Sequence, residues 1–294
     1  MSEPAAPAAP PAGSTARAVI LRRVWRLIVI AVLLYAMWLT LLVAGQEWFI
    51  FAARMRPPLA TDGPADANVQ QVWLTMQDGE PVEGWYQPGA GRSADAPGPA
   101  AIFFHGNGDF VDERWFVSEG YLERGISFLA VEYRGYGRVK GRPSQRAVVS
   151  DALEFYDWLA ARPEVDAQRI LLHGNSLGGG VATQVALRRP AAVLVLESTF
   201  ASMTDIGRRY LAPPALSRNP FDNVAALRKL DLPVLIVHGH GDWVIPISHA
   251  RRLHAAARRS HLVETDGGHA NYQPAWHELW PFLERHAPQV LGSP

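Results

Sequence analysis

A series of short apolar runs, each halted by a glycine-rich turn, constrains this chain more than any other feature. "AAIFF" stops at His105-Gly106-Asn107-Gly108, and "RILL" stops at His173-Gly174-Asn175-Ser176. "PVLIV" stops at His238-Gly239-His240-Gly241-Asp242, and "HLVET" at Asp266-Gly267-Gly268-His269. Helical patterns lie between them, such as "PSQRAVVSDALEFYDWLAAR" with Pro143 and Ser144 as its start signal. Short buried strands alternating with helices predict parallel βαβ units. Ahead of them, "VQQVWLTM" and "PVEGWYQPG" flank an Asp78-Gly79 hairpin signal. The predicted fold class is therefore α/β: a mixed, mostly parallel sheet with helices on both faces. Ligands of such sheets bind beyond the carboxyl ends of the strands, so the residues halting each run are the ones that matter.

The amino-terminal part reads differently. Residues 1–26 form a Pro/Ala-rich stretch ending in Arg17, Arg22, Arg23 and Arg26, expected to be a disordered basic tail. From Leu27 to Ala44 no residue is charged, which meets the lower limit for a membrane-spanning helix. Trp25 and Trp48 bracket that run as interfacial aromatics do, giving an expected anchor over 27–48. Val43-Ala44-Gly45 also suits a signal-peptide cleavage site, but the apolar run exceeds an ordinary signal core. Four arginines precede the span and Arg54 and Arg56 follow it, so the positive-inside rule predicts a cytoplasmic N-terminus and an exported domain. Residues 49–66, with Pro57-Pro58, read as a linker, and 67–290 as the folded domain.

The 294 residues carry 28 basic and 28 acidic side chains and no cysteine. Zero net charge without a basic run argues against a nucleic-acid partner. The missing thiols exclude disulfides and thiolate metal sites.

A lone G-x-S-x-G, here Gly174-Asn175-Ser176-Leu177-Gly178, is a weak signal, because Ser176 would equally suit a helix cap. Its surroundings strengthen it. A serine, an acid and a histidine follow three different strands in the order Ser176, Asp242, His269, one known order of a catalytic triad. A serine hydroxyl attacks only when a base takes its proton and nothing crowds it. Gly174 and Gly178 leave that room, Asn175 shapes the elbow, and the following helix aims free N–H groups at the same point. The Leu177 N–H and the Asn107 N–H are the expected oxyanion donors. His269 is the expected base, with Asp242 fixing its tautomer. Asp266 is a rival acid within the histidine's own loop. His105 and His173 are expected to hydrogen-bond within their turns.

These motifs resemble the α/β-hydrolase superfamily over about residues 67–290, and within it the Bem46-like single-span membrane serine hydrolases. "FFHGNG", "VEYRGYG", "HGNSLGG", "LESTF", "VLIVHGHGD" and "GGHAN" carry the resemblance. It implies the α/β-hydrolase fold with a short cap and the same triad and oxyanion donors. One departure is Arg138-Val139-Lys140-Gly141, where many relatives have Ser-x-Gly; the loop is expected near the site. The cap of some 30 residues between "LESTF" and "DLPVLIV" is short. Tyr210, Leu211, Pro213, Pro214, Leu216 and Phe221 form either an acyl groove or cap packing, and Arg208, Arg209 and Arg218 either a head-group attractor or a solvated face.

The function expected is a membrane-anchored serine hydrolase of carboxylic esters or thioesters, acting on lipids or lipidated proteins through an acyl-enzyme, with neither cofactor nor metal. The alternatives are a serine peptidase of the same fold and a non-catalytic membrane-tethered binding module. "HGHGD" has the spacing of some binuclear zinc sites, but Trp243 stands where those sites continue with histidine.

Overall fold

The computed structural model describes residues 13–56, 63–269 and 273–291. The chain forms two units, one ending at Gly45 and the other beginning at Gln46.

Helix α1 (Gly13–Ile50) makes up the described part of the first unit and runs on into the second. Its segment Arg17–Ile50 has a mean hydropathy of 2.7 and is long and apolar enough to cross a membrane. Its large side chains are exposed, from Leu27 through Leu41. The expected tail over 1–26 is corrected here. Residues 13–26 are helical, because Ala, Leu and Arg favour helix and no proline interrupts them. Residues 1–12 lie outside the described residues.

The second unit is built on one eight-stranded sheet in the order β1-β2-β4-β3-β5-β6-β7-β8. The strands are β1 (Gln70–Thr75), β2 (Pro81–Gln87), β3 (Gly98–Phe104), β4 (Ser127–Val131), β5 (Val165–Asn175), β6 (Val193–Glu197), β7 (Val234–Gly239) and β8 (Ser260–Thr265). β1 and β2 form the expected hairpin, turning at Gly79 with φ +86°, a backbone conformation that glycine tolerates best. β2 meets β4 antiparallel, and every later pairing is parallel.

The helices after the first are α2 (Val111–Arg114), α3 (Ser118–Leu122), α4 (Gln145–Ala160), α5 (Leu177–Ala186), α6 (Met203–Arg208), α7 (Asn223–Leu227), α8 (Ser248–Ala256) and α9 (Trp276–His286). Strand alternation splits the core between the two faces of the sheet. Ile102 and Phe104 pack with Val148, Val181, Leu227 and Leu253 from α4, α5, α7 and α8. Ala101 and Phe103 pack with Val117, Tyr121, Leu279 and Phe282. Ser144 caps α4 by accepting from the Ala147 N–H, as the sequence signal predicts.

The start of the expected 49–66 linker is packed against the core. Phe51 and Ala53 are fully buried in the same cluster as Phe104 and Tyr136, so the start of that segment belongs to the domain. Phe49 and Met55 are exposed. An aromatic ring beside an open core edge is worth more buried than left in water, and the segment folds back to bury it.

Because β3, β5, β6, β7 and β8 run parallel, their carboxyl ends share one edge of the sheet. Ser176, Asp242 and His269 follow β5, β7 and β8, and Asn107 follows β3.

Candidate active site

Ser176 occupies the sharp turn between β5 and α5 with φ 52° and ψ −114°. A non-glycine residue with positive φ is uncommon and strained. Its surroundings hold it there. The Ser176 N–H donates to Glu197 O at 2.9 Å, and Thr199 Oγ1 donates to Ser176 O at 2.6 Å. A Cβ at Gly174 would strike the Gly178 carbonyl, and one at Gly178 would strike the Phe104 carbonyl. The two glycines are needed so that α5 can start against β3 and β5. Asn175 donates to Glu197 O from its side chain at 3.4 Å.

Three side chains converge. Ser176 Oγ lies 3.1 Å from His269 Nε2, and His269 Nδ1 lies 2.7 Å from Asp242 Oδ2. An ionised carboxylate only accepts, so Nδ1 carries the imidazole proton and Nε2 presents its lone pair to the serine hydroxyl. Asp242 Oδ1 accepts the Val244 and Ile245 N–H groups at 3.0 and 2.7 Å, which fixes the rotation of the carboxylate. Burial pushes the Asp242 carboxyl up, but hydrogen bonds from His238, His269 and the Ile245 N–H outweigh it and hold it well below the usual carboxylate range. Asp242 is almost wholly buried, whereas the His269 ring keeps 19% of its surface open. The rival acid Asp266 makes no hydrogen bond to His269 among the described residues. Residues 270–272, which include the last two of the "GGHAN" motif, lie outside them.

The Leu177 N–H opens α5 directly after Ser176 and the Asn107 N–H lies in the turn after β3; among the described residues neither donates to a backbone acceptor in the loops. The Asn107 turn is braced from behind. His105 is buried, with Nε2 2.8 Å from Glu132 Oε1 and Nδ1 2.9 Å from Gly106 O. Burial alone would lower the His105 value, and the Glu132 carboxylate more than reverses that. Tyr133 Oη donates to His105 O, and Tyr136 Oη donates to Asn107 O. His173 sits between Tyr121 and Glu197, and Glu197 Oε1 accepts the Ala275 N–H at 3.0 Å. One carboxylate thus ties the serine turn to the chain that returns from His269. His105 bonds within its own turn as expected, whereas His173 reaches out of its turn to Tyr121 and Glu197.

Three features were not legible beforehand. His238 lies against the candidate acid, with Nε2 2.6 Å from Ile245 O and 3.4 Å from Asp242 Oδ2. The "HGHGD" spacing suits shared ligation, yet only His238 and Asp242 meet: exposed His240 turns away to Glu264 at 3.1 Å. Among the described residues no three His, Cys, Asp or Glu side chains converge as a metal cluster would. Arg138 is held by Glu83 and, through both carboxylate oxygens, by Asp112. This departure from the Ser-x-Gly of relatives thus bridges β2 to α2. In the cap, Phe221 is core, packed on Phe200, whereas Tyr210, Leu211 and Leu216 are exposed. Arg208 and Arg218 face Asp205 and Glu47, and Arg209 donates to Val244 O.

The sequence profile of the alpha/beta hydrolase family matches residues 101–218. An uncharacterised protein of Mycobacterium tuberculosis is 32% identical over 241 residues, covering 78% of this chain and 85% of that one. The chain belongs to the alpha/beta hydrolase family. This alpha/beta hydrolase is also similar to the lysophosphatidylserine lipase of Danio rerio, a member of the Bem46-like group, at 29% identity over 218 residues. That match covers 64% of this chain and 56% of the lipase. An esterase from Pyrococcus furiosus shares the fold with a TM-score of 0.62 at 18% identity, covering 78% of this chain and 96% of the esterase.

Proposed function

We propose that this alpha/beta hydrolase is a membrane-anchored serine esterase or thioesterase. The observation that carries the reading is the unbroken hydrogen-bond chain from Ser176 Oγ through His269 to Asp242, with the serine strained at a glycine-lined turn. In the first step Ser176 Oγ attacks the carbonyl carbon while its proton passes to His269 Nε2. The developing oxyanion accepts the Leu177 and Asn107 N–H groups. Asp242 offsets the imidazolium charge. His269 then gives the proton to the departing alcohol or thiol, leaving an acyl-serine. Water, deprotonated by the same imidazole, releases the acid. Every group in these steps belongs to the chain.

An acyl or lipid substrate is favoured by two features. A lysophosphatidylserine lipase is among the relatives. Exposed apolar side chains also follow the candidate acid: Trp243 and Val244 come directly after Asp242, and the cap, whose Arg209 donates to Val244 O, carries exposed Tyr210 and Leu211. Helix α1 is the proposed anchor, with the arginine bias placing the N-terminus in the cytoplasm and the hydrolase domain outside.

The test is labelling of the full-length protein by a fluorescent fluorophosphonate, with Ser176→Ala and His269→Ala alongside. Wild type should label and both variants should not. A folded wild type that fails to label, in detergent and in lipid, would leave a binding module as the better reading.

A further inference from the structure

The segment that follows the apolar helix is tied to the turn carrying one of the proposed oxyanion donors. The Ala53 N–H donates to Asn107 O at 2.8 Å, and Asn107 Nδ2 donates to Phe49 O at 3.2 Å. Arg56 Nη1 donates to Gly108 O at 2.8 Å. The Arg56 guanidinium also grips both oxygens of Glu113, which in turn accepts the Phe110 N–H, and it lies 4.3 Å over the Phe110 ring. Buried Phe51 pins the middle of the segment. At its start, Gln46 donates to Leu216 O and accepts the Arg218 N–H, so the same strand of chain also holds the cap.

We propose that residues 46–56 are a positioning strap of the active site: they set where the Asn107 N–H points. The inference rests on the reading of Asn107 as an oxyanion donor. The geometry behind it is specific. Asn107 turns its carbonyl and its side-chain nitrogen to the strap, while among the described residues its backbone N–H donates to no backbone acceptor in the loops. Tyr136 Oη supplies one further bond to the same carbonyl, from the domain itself. Three of the bonds that hold Asn107 and Gly108 therefore come from the strap. A backbone donor stabilises an oxyanion only if it is held in place before the reaction, and a shift of a fraction of an ångström weakens it. The strap begins two residues after the uncharged run ends, so the element that leaves the proposed anchor is also part of the catalytic frame.

The experiment uses the full-length chain in detergent with a p-nitrophenyl ester and a trifluoromethyl ketone, whose hemiketal oxygen occupies the oxyanion position. Arg56 is exposed, so Arg56→Met should fold; Arg189→Met, which breaks the similarly exposed pair with Asp157, is the control. Arg56→Met should lower kcat about tenfold with KM held within about twofold, and weaken the ketone by the same factor as kcat. Arg56→Lys should recover part of both, and Arg189→Met should match wild type in both. Ala53→Pro, which deletes the N–H to Asn107 O, should repeat the effect; if it does not fold, the Arg56 variants decide alone. Wild-type kcat and ketone affinity in a folded Arg56→Met would overturn the strap. A wild type that neither turns over the ester nor binds the ketone would overturn the hydrolase reading itself, and the strap with it.

Discussion

Replacing Asp242 by Asn tests the site most sharply, because the surroundings dictate how the new amide must sit. Asp242 Oδ1 accepts two backbone N–H groups, from Val244 and Ile245. An amide nitrogen there would face two donors, so the asparagine oxygen must take that position. Its nitrogen then replaces Oδ2, 2.7 Å from His269 Nδ1. A donor now faces Nδ1, so Nδ1 must become the acceptor and the imidazole proton moves to Nε2. That proton points at Ser176 Oγ, 3.1 Å away, and the histidine can no longer receive the serine's proton. The wrong tautomer in a comparable triad costs about 10⁴ in kcat, or about 5.5 kcal/mol of barrier. The assay is ester hydrolysis by purified full-length protein, with thermal melting as the fold control. A loss below tenfold in a folded variant would refute the tautomer argument and turn attention to Asp266.

Other consequences concern stability. Gly178→Ala drives a methyl group into the Phe104 carbonyl, and urea unfolding should show a loss of about 3 kcal/mol. Arg138→Met leaves the fully buried Glu83 without its cation, and the same measurement should show about 3 kcal/mol lost. Phe51→Ala should cost about 3 kcal/mol, whereas a free linker would show no change. Asp242 has a folded value below its unfolded one, so it adds stability that is complete above about pH 4 and drains away as pH falls toward the folded value. Wild type should therefore exceed Asp242→Asn by more at pH 7 than at pH 3 in urea unfolding; an equal or wider gap at pH 3 would contradict the assignment.

Much of the arrangement was legible because strands and turns are local. Short apolar runs with glycine stops located β3, β5, β7 and β8 in the parallel part of the sheet. Ser176, Asp242 and His269 were picked out as residues that follow β5, β7 and β8, since a parallel sheet gathers strand ends on one edge whatever the loops between them do. The oxyanion candidates Leu177 and Asn107 followed from the same rule. The helix after β3 was less legible. "ERWFVSEGYLERG" reads as one helix and is broken into α2, a 3-10 turn over Trp115–Val117 and α3, because Trp115 packs against Trp85 and Phe128 rather than following one helical stripe.

Sequence by itself determined the fold class, the uncharged apolar helix and which residues follow the strand ends, all of which depend on neighbours along the chain. Tertiary structure alone decided which partners distant side chains take. Arg138 bridges Glu83 and Asp112 across 55 and 26 positions, and Ala53 reaches the turn at Asn107. His238 lies against Asp242 only because the chain curls back after β7 to bring Ile245 O to its ring. Such pairings depend on where loops close in space, and no periodicity records that. The segment 49–56 shows the difference best. Its composition suits a linker, and only the open edge of the core beside Phe104 and Tyr136 makes it part of the domain.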